Sequence, residues 1–242
     1  MYRERMYRGF AQARDLIGFE VQVKETDLRV QAESDLSLRC REIVIRLRDE
    51  LESYITAHPE FASSLLPILP SPFSPPIVQL MASAAENADV GPMATVAGAI
   101  AELVGKELVS LSPELIVENG GDIFLQSQRS RVAQVYAGSS PFSLRIGLKV
   151  ESRGEPLGIC TSAGTVGHSL SLGATDAVAI IADSAALADA VATRVGNKVQ
   201  RREDIEAALD LAQSIARVRG AVVILGGNLG AWGDLEVVDL VE

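Results

Sequence analysis

Histidine and cysteine are nearly missing from this chain, with two of each among 242 residues. His58 and His168 cannot build a multi-histidine metal centre, and Cys40 and Cys160 are too far apart for a disulfide scaffold or a zinc cluster. The expectation is two free, partly buried thiols that take no part in metal binding. Positive charge is also short: 22 Lys and Arg face 32 Asp and Glu, a formal net charge of -10. That excludes a surface built to neutralise nucleic-acid phosphates or to lie on an anionic membrane. It leaves room for one small anionic ligand, because backbone N–H groups and a bound metal ion hold a phosphate without a basic surface. Four arginines in "MYRERMYRGFAQARDL" precede no apolar run, so neither a signal peptide nor a membrane anchor is expected, and the chain reads as cytoplasmic. No fixed-period repeat occurs, which excludes solenoids and propellers.

What is there is apolar content, 48% of the chain, enough to fill a sizeable core. Alternation on either side of "KETD" predicts a hairpin over 18–32. In the segment that follows, Leu36, Cys40, Ile43, Leu47, Leu51 and Ile55 recur at helical steps, with Asp35 as the expected N-cap. Residues 59–76 hold six of the ten prolines and read as an irregular connector inside a single domain spanning 1–242. Its apolar residues suit either packing over a site or a contact between two copies of the chain, a homodimer. Two helices are expected between Ile77 and Ser110, broken near "DVGPM". Short strands then succeed one another through "LGICTSAG", followed by the strand "DAVAIIAD", two helices near 184–197 and 201–218, and the strands "AVVILGG" and "LEVVDLV". Helices grouped against mainly antiparallel strands make an α+β fold.

Four stretches carry candidate chemistry. "IVENGGDIFL" sets Gly120 and Gly121 between two strands, flanked by Asn119 and Asp122; the glycines serve a hairpin turn, or admit a ligand to exposed backbone N–H groups. The run from Thr161 to Gly173, including Ser162, Gly164 and His168, is dense in glycines and hydroxyls; it suits phosphate oxygens or a metal's water, and equally a solvated loop. "LGGNLGAWGD" fails the dinucleotide spacing because Leu225 stands where the first glycine is needed, and it reads as a turn between strands. Asp189 and Thr193 sit one helical turn apart among Ala185, Ala186 and Gly196. That pair is either a buried acid satisfied by a neighbouring helix N-terminus or by Thr193, or two oxygen ligands for a divalent ion such as magnesium.

Taken together, "GPMATVAGAIAELV", "VENGGDI" and "TSAG", His168 and "ADSAALADAVAT", in that order, resemble the ApbE family of FAD:protein FMN transferases. The resemblance covers residues from about 90 to 200 and implies an ApbE-like fold that binds FAD with Mg2+. By position, it places the metal on Asp189, Thr193 and the backbone oxygen of Ala97, and the catalytic role on His168. It gives Asn119, Gly120, Gly121, Asp122, Thr161, Ser162 and Gly164 to the flavin nucleotide. The implied reaction splits the FAD diphosphate, hydrolytically or with transfer of FMN to a Thr or Ser of an acceptor protein. The chain departs from the pattern at Gly98, where the family has lysine, and at Ser171, where it has an acid. These departures point to a divergent branch, and set beside the enzyme two other readings: a non-catalytic flavin or nucleotide binder, and an enzyme for another phosphorylated substrate.

Overall fold

The computed structural model describes residues 13, 15–162 and 173–240. The described chain opens with strands β1 (Ile17–Val23) and β2 (Thr26–Ala32), then helices α1 (Ser37–Ala57), α2 (Glu60–Ser63) and α3 (Pro76–Ala88). A 3-10 turn over Pro92–Thr95 leads into α4 (Val96–Leu108). Strands β3 (Leu115–Asn119), β4 (Asp122–Gln126), β5 (Arg131–Gln134), β6 (Ile146–Val150), β7 (Leu157–Ser162) and β8 (Ala177–Ala182) follow. After α5 (Ala185–Lys198) and α6 (Asp204–Ser214) come β9 (Val218–Leu225), β10 (Asn228–Gly233) and β11 (Glu236–Asp239).

Every described strand pairing is antiparallel. Eight strands form one sheet in the order β1-β2-β3-β4-β7-β8-β9-β10, and β11-β6-β5 form a second. This is the expected α+β architecture, arranged in three layers. Helices cover one face of the large sheet, where Val117, Phe124, Val178 and Ile180 meet Ala99, Val104, Ala188 and Val191. The small sheet covers the other face, where Ile116, Ile123 and Ile159 meet Ala133 and Val150. Burial on both faces explains why β8 reads "AVAIIA" without polar alternation: Val178 and Ile180 serve the helical layer while Ala177 and Ala179 serve the small sheet.

Local expectations differ from the structure at four places. Leu36, not Asp35, is the N-cap of α1, and the Asp35 carboxylate accepts instead from the Ser37 N–H at 2.9 Å, just outside the helix. The proline-rich connector contains α2, held to α1 by an edge-on contact of Tyr54 and Phe61 with ring centroids 5.2 Å apart. Pro76 then serves as the first helical residue of α3, where its missing N–H costs nothing. Part of "LGGNLGAWGD" is strand β10, paired along β9 from Asn228 to Gly233, because its small residues let Ile205 and Leu209 of α6 press onto Gly230. The second late helix, α6, ends at Ser214, and β9 already begins at Val218.

Candidate functional site

The N-termini of α4 and α5 meet within the helical layer, and their first turns are pressed so closely that a Cβ on Gly98 would run into the Ala185 carbonyl oxygen. Thr95, the N-cap of α4, makes no side-chain cap. Asp189, from the second turn of α5, takes that place across the interface: its Oδ2 accepts from the Gly98 N–H at 3.0 Å, and the Ala97 N–H adds to it. The reciprocal contact comes from Glu102 of α4, whose Oε2 accepts from Ser184 Oγ at 2.5 Å and from the Ala186 N–H at 3.2 Å. Each helix thus supplies an acid to the positive end of the other.

The two acids differ in what lies on their far side. Glu102 is enclosed, with Lys106 Nζ 2.6 Å from Oε1. Asp189 faces Asp122 at the start of β4 and Cys160 in β7, all three offering ligand atoms within 4.8 Å of one another. Cys160 Sγ lies 3.9 Å from Asp189 Oδ1. Asp122 arrives there because Gly120, at φ 72°, turns β3 into β4 and sets Asp122 opposite Cys160 in the ladder. Asp122 Oδ1 is buried and has no hydrogen-bond partner among the described residues.

Burial raises the Asp122 carboxyl to about 7, against the hydrogen bond from Cys160 that pulls it down. Burial first, then the negative charge of Asp122, push Asp189 well above the usual carboxylate range, opposed by the Gly98 and Ala97 N–H groups. Burial, followed by the charges of Asp122 and Asp189, raises the Cys160 thiol as well. Cys160 is therefore a protonated donor between two acids and not a thiolate. The remaining donors are hard oxygens in a place where two carboxylates repel, and an oxygen-seeking divalent cation fits them.

A cavity of about 1330 Å³ opens above this floor. Ala97, Asn119, Gly120, Gly121, Asp122, Thr161, Ser162, Asp189 and Thr193 all line it, so the structure brings together every sequence-derived site residue that lies within the described set. Gly164 and His168, together with Ser171, lie outside the described residues. Asn119 Nδ2 donates to the Ala97 oxygen at 3.1 Å, which ties β3 to the start of α4. The Thr193 hydroxyl has no hydrogen-bond partner among the described residues. One wall is apolar, formed by Leu51, Ile55, Met93 and Ile100, with Leu65 and Leu66 of the proline-rich connector at its edge. Among the described residues, Tyr136 is the single aromatic in the lining.

Sequence reasoning missed Cys160 as a neighbour of the acids and gave Asp122 to the nucleotide alone. Strand parity carried the missing signal: Asp122 and Cys160 stand at facing positions of adjacent strands, which requires knowing that β4 pairs with β7.

Comparison with known proteins joins these observations. The UPF0280 protein of Methanococcus aeolicus is 39% identical over 226 residues, covering 91% of each chain. That of Methanocaldococcus jannaschii is 40% identical, covering 88% of this chain and 89% of its own. Among solved structures, Pseudomonas stutzeri flavinyl transferase ApbE superposes with a TM-score of 0.60 at 13% identity, covering 90% of this chain and 94% of that one. The flavin transferase ApbE from Vibrio cholerae gives 0.57 at 12%, covering 90% and 97%. At such identities these structures establish the shared fold. No helix among the described residues is long and apolar enough to cross a membrane. Residues 8–231 match the family model described as AbpE bacteria, and the chain belongs to that family.

Proposed function

We propose that this chain is a magnesium-dependent enzyme of flavin nucleotides that cleaves the FAD diphosphate. In the transfer version, the bridging P–O bond breaks, a Thr or Ser oxygen of an acceptor protein loses its proton to solvent and bonds to the FMN phosphorus, and AMP leaves with the electron pair. In the hydrolytic version water takes the place of that hydroxyl. The observation that carries this reading is Asp122 Oδ1, buried without a partner among the described residues, beside Asp189 at the floor of a cavity in the ApbE fold.

Asp122 and Asp189 would hold the ion, with the Ala97 carbonyl and the Thr193 hydroxyl as the further oxygen donors. Bound there, Mg2+ supplies charge neutralisation for the diphosphate and the departing AMP. Asn119, Gly120, Gly121, Thr161 and Ser162 present amide and hydroxyl groups to the polar part of the nucleotide. Tyr136 offers a ring face to the isoalloxazine. Gly164 and His168 keep the binding and catalytic assignments that the family resemblance gives them.

A second reading, a non-catalytic flavin binder, is favoured by one observation: Asp189 Oδ2 already serves the α4 N-terminus, so the acid has a structural duty without a metal. Titration of the purified protein with FAD, with and without Mg2+, separates the two when flavin fluorescence and AMP release are followed together. AMP appearing only with Mg2+, above an Asp189→Asn control, supports the enzyme; saturable binding without AMP supports the binder. No FAD binding in either condition overturns both.

A further inference from the structure

Among the described residues, four basic side chains line the cavity: Lys24, Arg48, Arg194 and Lys198. Three are committed to acids. Lys24 Nζ lies 2.5 Å from Glu52, Arg48 Nη2 lies 2.5 Å from Glu25 and 2.9 Å from Glu52, and Arg194 Nη2 lies 2.9 Å from Asp89. Lys198 has neither an acid nor a hydrogen-bond partner among the described residues. With those pairs removed, the described lining retains two acids on the floor, Asp122 and Asp189, and one cation on the rim.

The position of that cation follows from α5. Asp189, Thr193 and Asn197 recur at four-residue steps along one face of the helix and all line the cavity, and Lys198 is its last residue. Lys198 stands nine positions after Asp189, a rise of about 13 Å, so it lines the cavity at the end of the helix away from the floor. The start of α4, where the resemblance expects a lysine, has no space for one, because the Ala185 carbonyl occupies the place of a Gly98 side chain.

We propose that Lys198 is an anion-binding residue of this cavity, holding a phosphate oxygen of a nucleotide diphosphate whose other oxygens face the Asp122 and Asp189 floor. The inference rests on the flavin-nucleotide reading for the identity of its ligand and deepens it by naming the rim contact. An ammonium is a point charge that finds phosphate from the end of a flexible stem, so its contribution is a charge-assisted hydrogen bond sensitive to salt.

The test is calorimetric titration of the wild-type chain, Lys198→Met and Lys198→Arg with FAD, riboflavin and inorganic pyrophosphate, each in Mg2+ and at two salt concentrations. Lys198→Met is expected to weaken FAD and pyrophosphate about tenfold or more and to flatten the salt dependence, leaving riboflavin, which has no phosphate, unchanged. Lys198→Arg is expected to retain most of the affinity. Equal FAD and pyrophosphate affinities in wild type and Lys198→Met overturn the inference while leaving the flavin reading intact. Lys198-dependent binding of pyrophosphate without any flavin binding sustains the inference and overturns the flavin reading. A wild-type chain that binds neither FAD nor pyrophosphate overturns both. Lys198 is exposed, and an unchanged melting temperature in Lys198→Met shows that a binding loss is not a folding loss.

Discussion

Glu102 and Asp189 make the same contact in opposite directions, each reaching from one helix to the N-terminus of the other, yet their surroundings divide their roles. Glu102 ends in Ser184, the Ala186 N–H and Lys106, and both of its oxygens are accounted for. Asp189 satisfies the start of α4 with one oxygen and turns the other toward Asp122, Cys160 and a cavity. A helix-capping acid can thus be closed off by its partners or left beside a second acid at a cavity. In this chain the β3–β4 turn brings that second acid.

The most severe loss is expected at the enclosed acid. Glu102→Ala would leave the Ser184 hydroxyl and the Ala186 N–H buried without acceptors, and is expected to cost about 3–5 kcal/mol in urea unfolding. Next comes the seam that allows both contacts. Gly98→Ala would force α4 from Ala185 and is expected to cost about 1–3 kcal/mol, with loss of metal-dependent ligand binding as the Asp189 cap is displaced. Asp189→Asn, by contrast, keeps an oxygen for the Gly98 N–H and is expected to stay within about 1 kcal/mol of wild-type stability while abolishing Mg2+-dependent FAD binding. That split is what separates the open acid from the enclosed one.

The smallest effect is expected at a third set of acids, just before β1 and before β3. Asp15 is held below its usual range by its hydrogen bond with Arg131. Burial works upward on Glu114, but hydrogen bonds from Ser127, the Gln128 N–H and Arg131 outweigh it and lower the group. A carboxylate lowered in the folded state contributes stability above its unfolded value and loses it as pH falls through the folded one, so this cluster should weaken on acidification below about pH 4, by roughly 1 kcal/mol. Asp122 and Asp189 carry the opposite sign. Raised in the folded state, they erode stability as pH climbs from the ordinary carboxylate range, through about 7 for Asp122 and up to the raised value of Asp189, and Mg2+ should remove that erosion. Chemical denaturation at pH 3, 5 and 8 (roughly spanning both ranges), with and without Mg2+, reads both signs.

Much of the site was legible in the sequence because it is built from short-range pattern. The helical step from Asp189 to Thr193 and the Gly120-Gly121 turn between apolar runs are local features, and the structure sets both at one cavity. The α+β fold was legible for the same reason, since strand and helix periods alternate clearly along the chain. What was illegible depends on distant partners. Glu102 lies 82 residues from Ser184, and nothing near it in sequence marks it as a cap. Cys160 read as an inert thiol because its two acids come from another strand and another helix. Strand β10 hid among glycines whose smallness serves α6, and of the alternatives for Asp189 the structure displays the helix cap on one oxygen, while the other lies beside Cys160.

Whether the Asp122 and Asp189 floor holds a divalent cation for a flavin diphosphate is read best at Asp122, whose Oδ1 serves no other group among the described residues. Calorimetric FAD binding should be measured with and without Mg2+ in the wild-type chain and in Asp122→Asn. Cation-dependent binding on that floor is expected to require Mg2+ in the wild type and to fall at least about tenfold in a folded Asp122→Asn. Equal FAD affinity with and without Mg2+, or an unchanged affinity in Asp122→Asn, would contradict it.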